Sequence, residues 1–346
     1  MAYQFKNLVF ESGGVKGIAY VGAMEALAKK GILKNILRVG GTSAGAINAV
    51  LLGLIYSPAE TREILATLNF GNFLDDSWGV AGDINRLIND FGWYKGDAFR
   101  LWIANLIKEK TGNSECTFSE FSGQKEKRGF RDIYFIGANL STRFAEVFSV
   151  EHTPRMCIAD AVRISMSIPL FFASKRSPRG DVYVDGGVLN NYPIKVFDRE
   201  KYLDKKRVKK HAAIPPYYQK HNEQLRAERK AISPYCYNKE TLGFRLDSAK
   251  EIAVFRDQAE PEHRKIDDFV AYAWALIQTI MEIQASMHLH GDDWQRTIYI
   301  DTLGVKTTDF DLSDEQKEAL VESGRTNTEK YFAWYDSPKS RPANRP

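Results

Sequence analysis

Cysteine is scarce in this chain: Cys116, Cys157 and Cys236 are the only three in 346 residues, widely spaced and without a C-x-x-C pair. Such spacing excludes a disulfide framework or a zinc ribbon and fits a reducing compartment. Long apolar runs are missing too. No stretch nears the ~18 residues of a membrane span, and the run "GAINAVLLGLIY" at 45–56 reads as a buried helix. The opening "MAYQFKNLVF" lacks the basic segment, apolar core and cleavage site of a signal peptide, so a cytoplasmic protein is expected, with any specialised export route leaving no mark. Charge of one sign is also lacking. The balance of 48 Lys and Arg against 44 Asp and Glu, +4 overall, is too even to argue for a nucleic-acid partner. None of the six histidines, His152, His211, His221, His263, His288 and His290, sits at a strand end among small residues. No carboxylates show the D-x-D-x-D-G spacing of a calcium loop; neither metal nor cofactor is expected.

What is present is an alternation of strand and helix signals. Residues 8–10, 36–41, 132–138, 143–149 and 182–187 read as strands, and 15–30 and 46–56 as helices. Ser57-Pro58-Ala59-Glu60 is a capping box that starts a further helix. This order predicts an α/β layered fold with a largely parallel sheet, and ligand-binding turns at the carboxyl ends of its strands. The composition shifts near residue 199. Residues 199–230 hold 11 Lys and Arg against 4 Asp and Glu around Pro215-Pro216, which reads as an exposed basic insertion reaching to about 260. A helical part, 261–346, follows. In it Ile266, Phe269, Val270, Ala273, Trp274, Ile277, Ile280 and Met281 keep the spacing of one apolar helix face. A strand at 296–300 comes next, then two capped helices opened by Ser313 with Gln316 and by Thr326 with Glu329. The whole of 1–346 is expected to be a single catalytic domain with that insertion.

Three short motifs carry chemistry. The first, "ESGGVKG", follows an apolar strand and crowds Gly13, Gly14 and Gly17 around Val15 and Lys16. A glycine turn at a helix start holds negative charge on bare N–H groups. It lacks G-x-G-x-x-G, and Gly17 after Lys16 breaks the phosphate-loop pattern, which needs Ser or Thr there. The second, "GTSAG", fits G-x-S-x-G between a strand and an apolar helix, with Ser43 between Gly41 and Gly45. The bland alternative is a tight turn that needs glycine. The third, "VDGG", ends an apolar strand in Asp185, Gly186 and Gly187. A partly desolvated carboxylate there has a raised pKa and is the better proton acceptor for a serine; the alternative is an ordinary Asp-Gly-Gly turn.

In that order the three motifs resemble those of the patatin-like phospholipases, and the tail from 243 to 335 resembles bacterial members. The segments "SMSIPLFF" and "NNYP" around Asp185 resemble the flanks of the family's aspartate. The resemblance implies a three-layer α/β/α sandwich with a mostly parallel central sheet. It implies Ser43 as nucleophile, Asp185 as base, and an oxyanion hole from the loop Gly13, Gly14, Val15, Lys16 and Gly17. Gly41 and Gly45 shape the elbow, and Gly186 and Gly187 the aspartate turn. The implied substrate is a phospholipid or other acyl lipid, cleaved through an acyl-serine. Ser12 and Lys16 depart from the first of the family's three consecutive glycines and from its arginine, and lysine lacks the planar fork for a bidentate role. The competing readings are an acyltransferase or thioesterase, which depends on a histidine motif missing here, and a silent binding module of the same fold. Basic stretch 199–230 is a candidate for peripheral contact with anionic headgroups. An activator, if one is needed, is not legible.

Overall fold

The structure, a computed structural model, describes residues 3–68, 73, 87, 89–204, 206–228, 232–248, 265–267, 269–286, 292–307 and 309–345. Its frame is one eight-stranded sheet. The strands are β1 (Asn7–Phe10), β2 (Arg38–Gly41), β3 (Asp132–Asn139), β4 (Phe144–Phe148), β5 (Lys175–Arg176), β6 (Val182–Asp185), β7 (Thr241–Asp247) and β8 (Thr297–Asp301). Their spatial order is β8-β7-β1-β2-β3-β6-β5, with β4 also on β3. The five strands β8, β7, β1, β2 and β3 run parallel, while β4 and β6 pair with β3 in the antiparallel sense.

Alternate side chains sort the core to two faces. Leu8 and Phe10 of β1 and Ile133 and Phe135 of β3 enter the larger core, while Val9 and Tyr134 meet Tyr192, Ile194, Phe197 and Tyr202 on the other side. The helices α1 (Ala19–Lys29), α2 (Ala44–Gly53), α3 (Pro58–Ala66), α4 (Asp97–Thr111) and α5 (Ile158–Ser165) supply much of the larger core. Helix α2 is buried along its whole length, as its uniformly apolar sequence requires. The Ser57–Glu60 capping box opens α3 as expected.

The chain end corrects one expectation. Residues 314–336 form a single helix, to which the label α8 belongs once α6 (Pro216–Ala227) and α7 (Phe269–Ser286) are counted. Ser313 caps it with Gln316, but Thr326 lies inside it and turns its hydroxyl to Glu322 (3.2 Å). Packing explains the unbroken helix. A Cβ on Gly22 of α1 would strike the Val321 carbonyl, and one on Gly324 the Ala19 carbonyl, so α1 and α8 cross backbone to backbone over a continuous seam. The apolar helix expected from 266 begins at Phe269, and its Tyr272, Leu276, Ile280 and Ile283 are exposed.

The basic stretch is partly built into the body. Tyr218 and Asn222 of α6 are buried, and Arg199 stacks on Tyr235 (3.3 Å to the ring centre). Asn238, which pairs with Ala212, and Glu240, which holds Arg207 and His211, lie just before β7. The stretch therefore sits at the amino ends of the parallel strands. Lys205, Arg229 and Lys230 lie outside the described residues. Among the described residues no helix is long and apolar enough to cross a membrane.

Candidate active site

At the opposite, carboxyl ends of β1 and β2, the chain makes the two glycine-rich turns side by side. Ser43 sits at the turn from β2 into α2 with φ 54 and ψ −122. A non-glycine residue rarely holds positive φ, and such strain clusters at functional sites. The turn is tight because a Cβ on Gly45 would lie 2.5 Å from the Phe10 carbonyl oxygen, where β1 ends. Only a glycine lets α2 start so close to its neighbour strand. Ser43 is 1% exposed. Its N–H donates to Ser165 Oγ (3.0 Å), and its hydroxyl donates to Met166 Sδ (3.4 Å). Both partners belong to the "SMSIP" segment that ends α5.

Strand register brings Asp185 to the same level. Gly41 pairs with Phe135, and two residues further along β3 Gly137 pairs with Asp185. Two residues beyond Gly41 is Ser43. Asp185 is fully buried and its Oδ1 accepts the Gly187 N–H (2.7 Å), while no hydrogen bond closes on its Oδ2. Burial pushes its carboxyl up to about 7, against the pull of the Gly187 N–H and the neighbouring Ser43 hydroxyl. Carboxylates without a full set of donors behave this way in a dry setting. The Asp185 N–H itself donates to Ser167 O (2.8 Å), so the same "SMSIP" segment fixes both residues.

The first turn is a 3-10 turn, Gly14–Ile18, that leads into α1. Gly14 has φ 55, and a Cβ there would strike the Thr307 carbonyl. Val15 N–H donates to Thr307 O (3.3 Å) and Lys16 N–H to Gly13 O (3.2 Å). Among the described residues the N–H groups of Gly13 and Gly14 make no hydrogen bond. The loop's unspent donors therefore narrow from the expected five residues, since Val15 and Lys16 have theirs engaged. Asn48 of α2 ties the two turns, donating from Nδ2 to Gly17 O (3.3 Å) and Ala44 O (3.1 Å). A small cavity of about 30 Å³ opens between them, bordered by Gly14 and Ala44 and walled by Ile47, Leu65 and Phe310. Helix α7 reaches the site from the other side, with the Met281 methyl against Gly187.

Beneath the glycine turn lies a polar cluster that short-range patterns could not reveal. Glu11, 3% exposed, accepts the Leu246 N–H (2.9 Å) and Asn191 Nδ2–H (3.3 Å), and faces Arg245 Nε (3.5 Å). Arg245 in turn pairs with Asp247 (2.6 Å). Ser165, Met166, Glu11 and Asn191 were missed as site neighbours. Their one sequence signal is position, next to or inside the motif-like segments. The described histidines are engaged elsewhere: His152 with Ser149 Oγ (2.8 Å), His211 with Glu240 (2.9 Å) and His221 against Tyr235. His263, His288 and His290 lie outside the described residues. No cluster of His, Cys, Asp and Glu fit to hold a metal occurs among the described residues.

The family model described as patatin-like phospholipase matches residues 8–198, more than half of the chain and all three motifs. An uncharacterized protein, R571, of Acanthamoeba polyphaga mimivirus is 34% identical over 203 residues, which cover 58% of this chain and 64% of that protein. The uncharacterized protein YqhO of Bacillus subtilis is 27% identical over 337 residues, 94% of this chain and 97% of its own length. Among solved structures, VipD from Legionella pneumophila superposes with a TM-score of 0.57 at 18% identity, over 95% of this chain and 67% of that one. At that identity the likeness speaks to the fold.

Proposed function

The chain belongs to the patatin-like phospholipase family, and from that premise we propose that it is a lipid acyl hydrolase acting through an acyl-serine, with Ser43 as nucleophile and Asp185 as base. The carrying observation is the Asp185 carboxylate, fully buried beside Ser43 with Oδ2 unclaimed and a pKa raised to about 7. A base poised there takes a proton from an attacking serine and returns it near neutral pH.

Rotation of the Ser43 hydroxyl from Met166 Sδ toward Asp185 Oδ2 readies the attack. Ser43 Oγ bonds to the ester carbonyl carbon, its proton passes to Asp185, and the carbonyl π pair moves onto oxygen. The N–H groups of Gly13 and Gly14 receive that oxyanion; one such donor typically contributes ~2.7–4 kcal/mol of barrier lowering. Collapse expels the alcohol, which leaves with the proton from Asp185. Water then repeats the sequence on the acyl-serine: Asp185 takes its proton, and Ser43 departs with that proton as the fatty acid is released.

The cavity beside Ala44 is mostly apolar, with Asn48 and Lys317 also on its lining, which suits an acyl chain, and its small volume requires the walls to part. Contact with a bilayer through the basic stretch 199–230 meets a geometric obstacle, because that stretch lies at the end of the sheet opposite Ser43. Hydrolysis of p-nitrophenyl butyrate tests the proposal. Ser43→Ala and Asp185→Asn should each lower kcat by about a thousandfold or more, and Ser43→Ala should abolish labelling by a fluorophosphonate. Full activity in either variant sinks the pairing.

A further inference from the structure

All three motif segments converge on one residue to whose side chain the proposed reaction gives no role. Glu11 stands directly before Ser12-Gly13-Gly14. Its carbonyl oxygen would lie 2.6 Å from a Cβ on Gly45, so it touches the elbow, and it also accepts the Tyr20 hydroxyl of α1 (2.9 Å). Its carboxylate reaches Asn191 in the segment after Asp185, and the Leu246 N–H of β7. Asn191 closes the link a second time, its carbonyl accepting the Ser12 N–H (3.1 Å). Leu246, held by Glu11, packs under Gly13, where a Cβ would strike its Cδ1.

Resting on the serine-hydrolase reading above, the geometry points to Glu11 as a positioning residue of the reaction: its carboxylate, clasped with Asn191 and Leu246, sets where the Gly13 and Gly14 N–H groups stand relative to Ser43 and Asp185. The chemistry needs a carboxylate at this place. Leu246 N–H and Asn191 Nδ2–H are both donors, and Arg245 adds a cation. An anion accepts from both donors and faces the cation, whereas an amide of the same shape turns one N–H against a donor. Burial, with Asp247 adding to it, pushes the Glu11 carboxyl up to about 7, and Arg245 and the Leu246 N–H pull against that rise, so these partners rather than water offset the cost of its charge. Because oxyanion donors act on the transition state and not on the bound ester, a displaced loop lowers kcat and leaves KM in place.

The test uses the full chain and two variants, Glu11→Gln and Asn191→Ala, with active sites counted by fluorophosphonate labelling taken to completion. Per labelled site, Glu11→Gln should lower kcat for p-nitrophenyl butyrate at least tenfold, and Asn191→Ala at least threefold, with KM within twofold of wild type. Asn191→Ala leaves Glu11 its Leu246 and Arg245 partners, so it reads the clasp even if Glu11→Gln fails to fold. Variants that lose thermal stability but keep the wild-type kcat per labelled site overturn the inference and leave the hydrolase reading intact. A wild-type chain that neither hydrolyses the ester nor labels overturns both.

Discussion

The two ends of the parallel strands are built on opposite terms. At the amino ends a buried charge has every partner it can use. Arg296, 0% exposed, grips both oxygens of Asp198 (2.7 and 2.8 Å) and holds Asp293 (2.6 Å), while Tyr218 donates to Asp198 as well (2.7 Å). At the carboxyl ends the same burial comes with groups left wanting. Asp185 Oδ2 has no hydrogen bond among the described residues, Ser43 holds a positive φ, and the Gly13 and Gly14 N–H groups make no hydrogen bond there either. One end holds a fully partnered buried cation and the other leaves buried polar groups unpaired, and the sheet between them keeps the two apart.

Removing Arg296 probes the stable end. Arg296→Ala leaves Asp198 and Asp293 buried without their cation, and breaking such a pair costs about 3–5 kcal/mol. Urea unfolding should show that loss, while kcat per folded molecule stays at the wild-type level. A fall in kcat would mean that the two ends are coupled.

A smaller effect sharpens the contrast from the reactive end. Asp185 titrates near 3.8 when unfolded and at about 7 when folded. A carboxyl raised by folding contributes its stability fully below the unfolded value, and that stability drains away as pH rises toward the folded one. At ~1.4 kcal/mol per unit the loss reaches up to about 4 kcal/mol. Asp185→Asn lacks this drain. Its melting temperature should therefore gain on wild type steadily between about pH 4 and pH 7 and run parallel above; a constant difference across that range would show that Asp185 is not desolvated.

The smallest expected effect comes from backbone strain. Positive φ in a non-glycine residue costs on the order of 1–3 kcal/mol, part of which glycine returns through its looser unfolded state. Ser43→Gly should thus be more stable than Ser43→Ala by about 1 kcal/mol in calorimetry. Equal stabilities would mean that the elbow is relaxed.

Much of the reactive end was legible in the sequence, because its motifs are local. A serine between two glycines after an apolar strand reads directly as a strained turn, and Ser57 with Glu60 reads directly as a cap. What stayed hidden depends on distant partners. Glu11 meets Leu246 and Arg245 across more than two hundred residues, and only the register of β1 on β7 unites them. The antiparallel sense of β6, which sets Asp185 level with Ser43, is likewise a matter of pairing and not of composition. Thr326 failed as a cap because the local signal was overruled by a long helix–helix seam. The basic stretch was visible as charge, but its place at the far end of the sheet was not.

The seam between α1 and α8 also has a consequence for the order of events on the ribosome. The glycine turn is encoded within the first twenty residues, yet it rests on Leu246, on the Thr307 carbonyl and, through Gly22, on Val321. The first motif to be synthesised is thus the last to be seated. Domains assemble as the chain emerges, and a nascent chain that already holds Ser43 still lacks the floor under its first glycine turn. The turn thus closes only when segments two to three hundred residues downstream have packed against it.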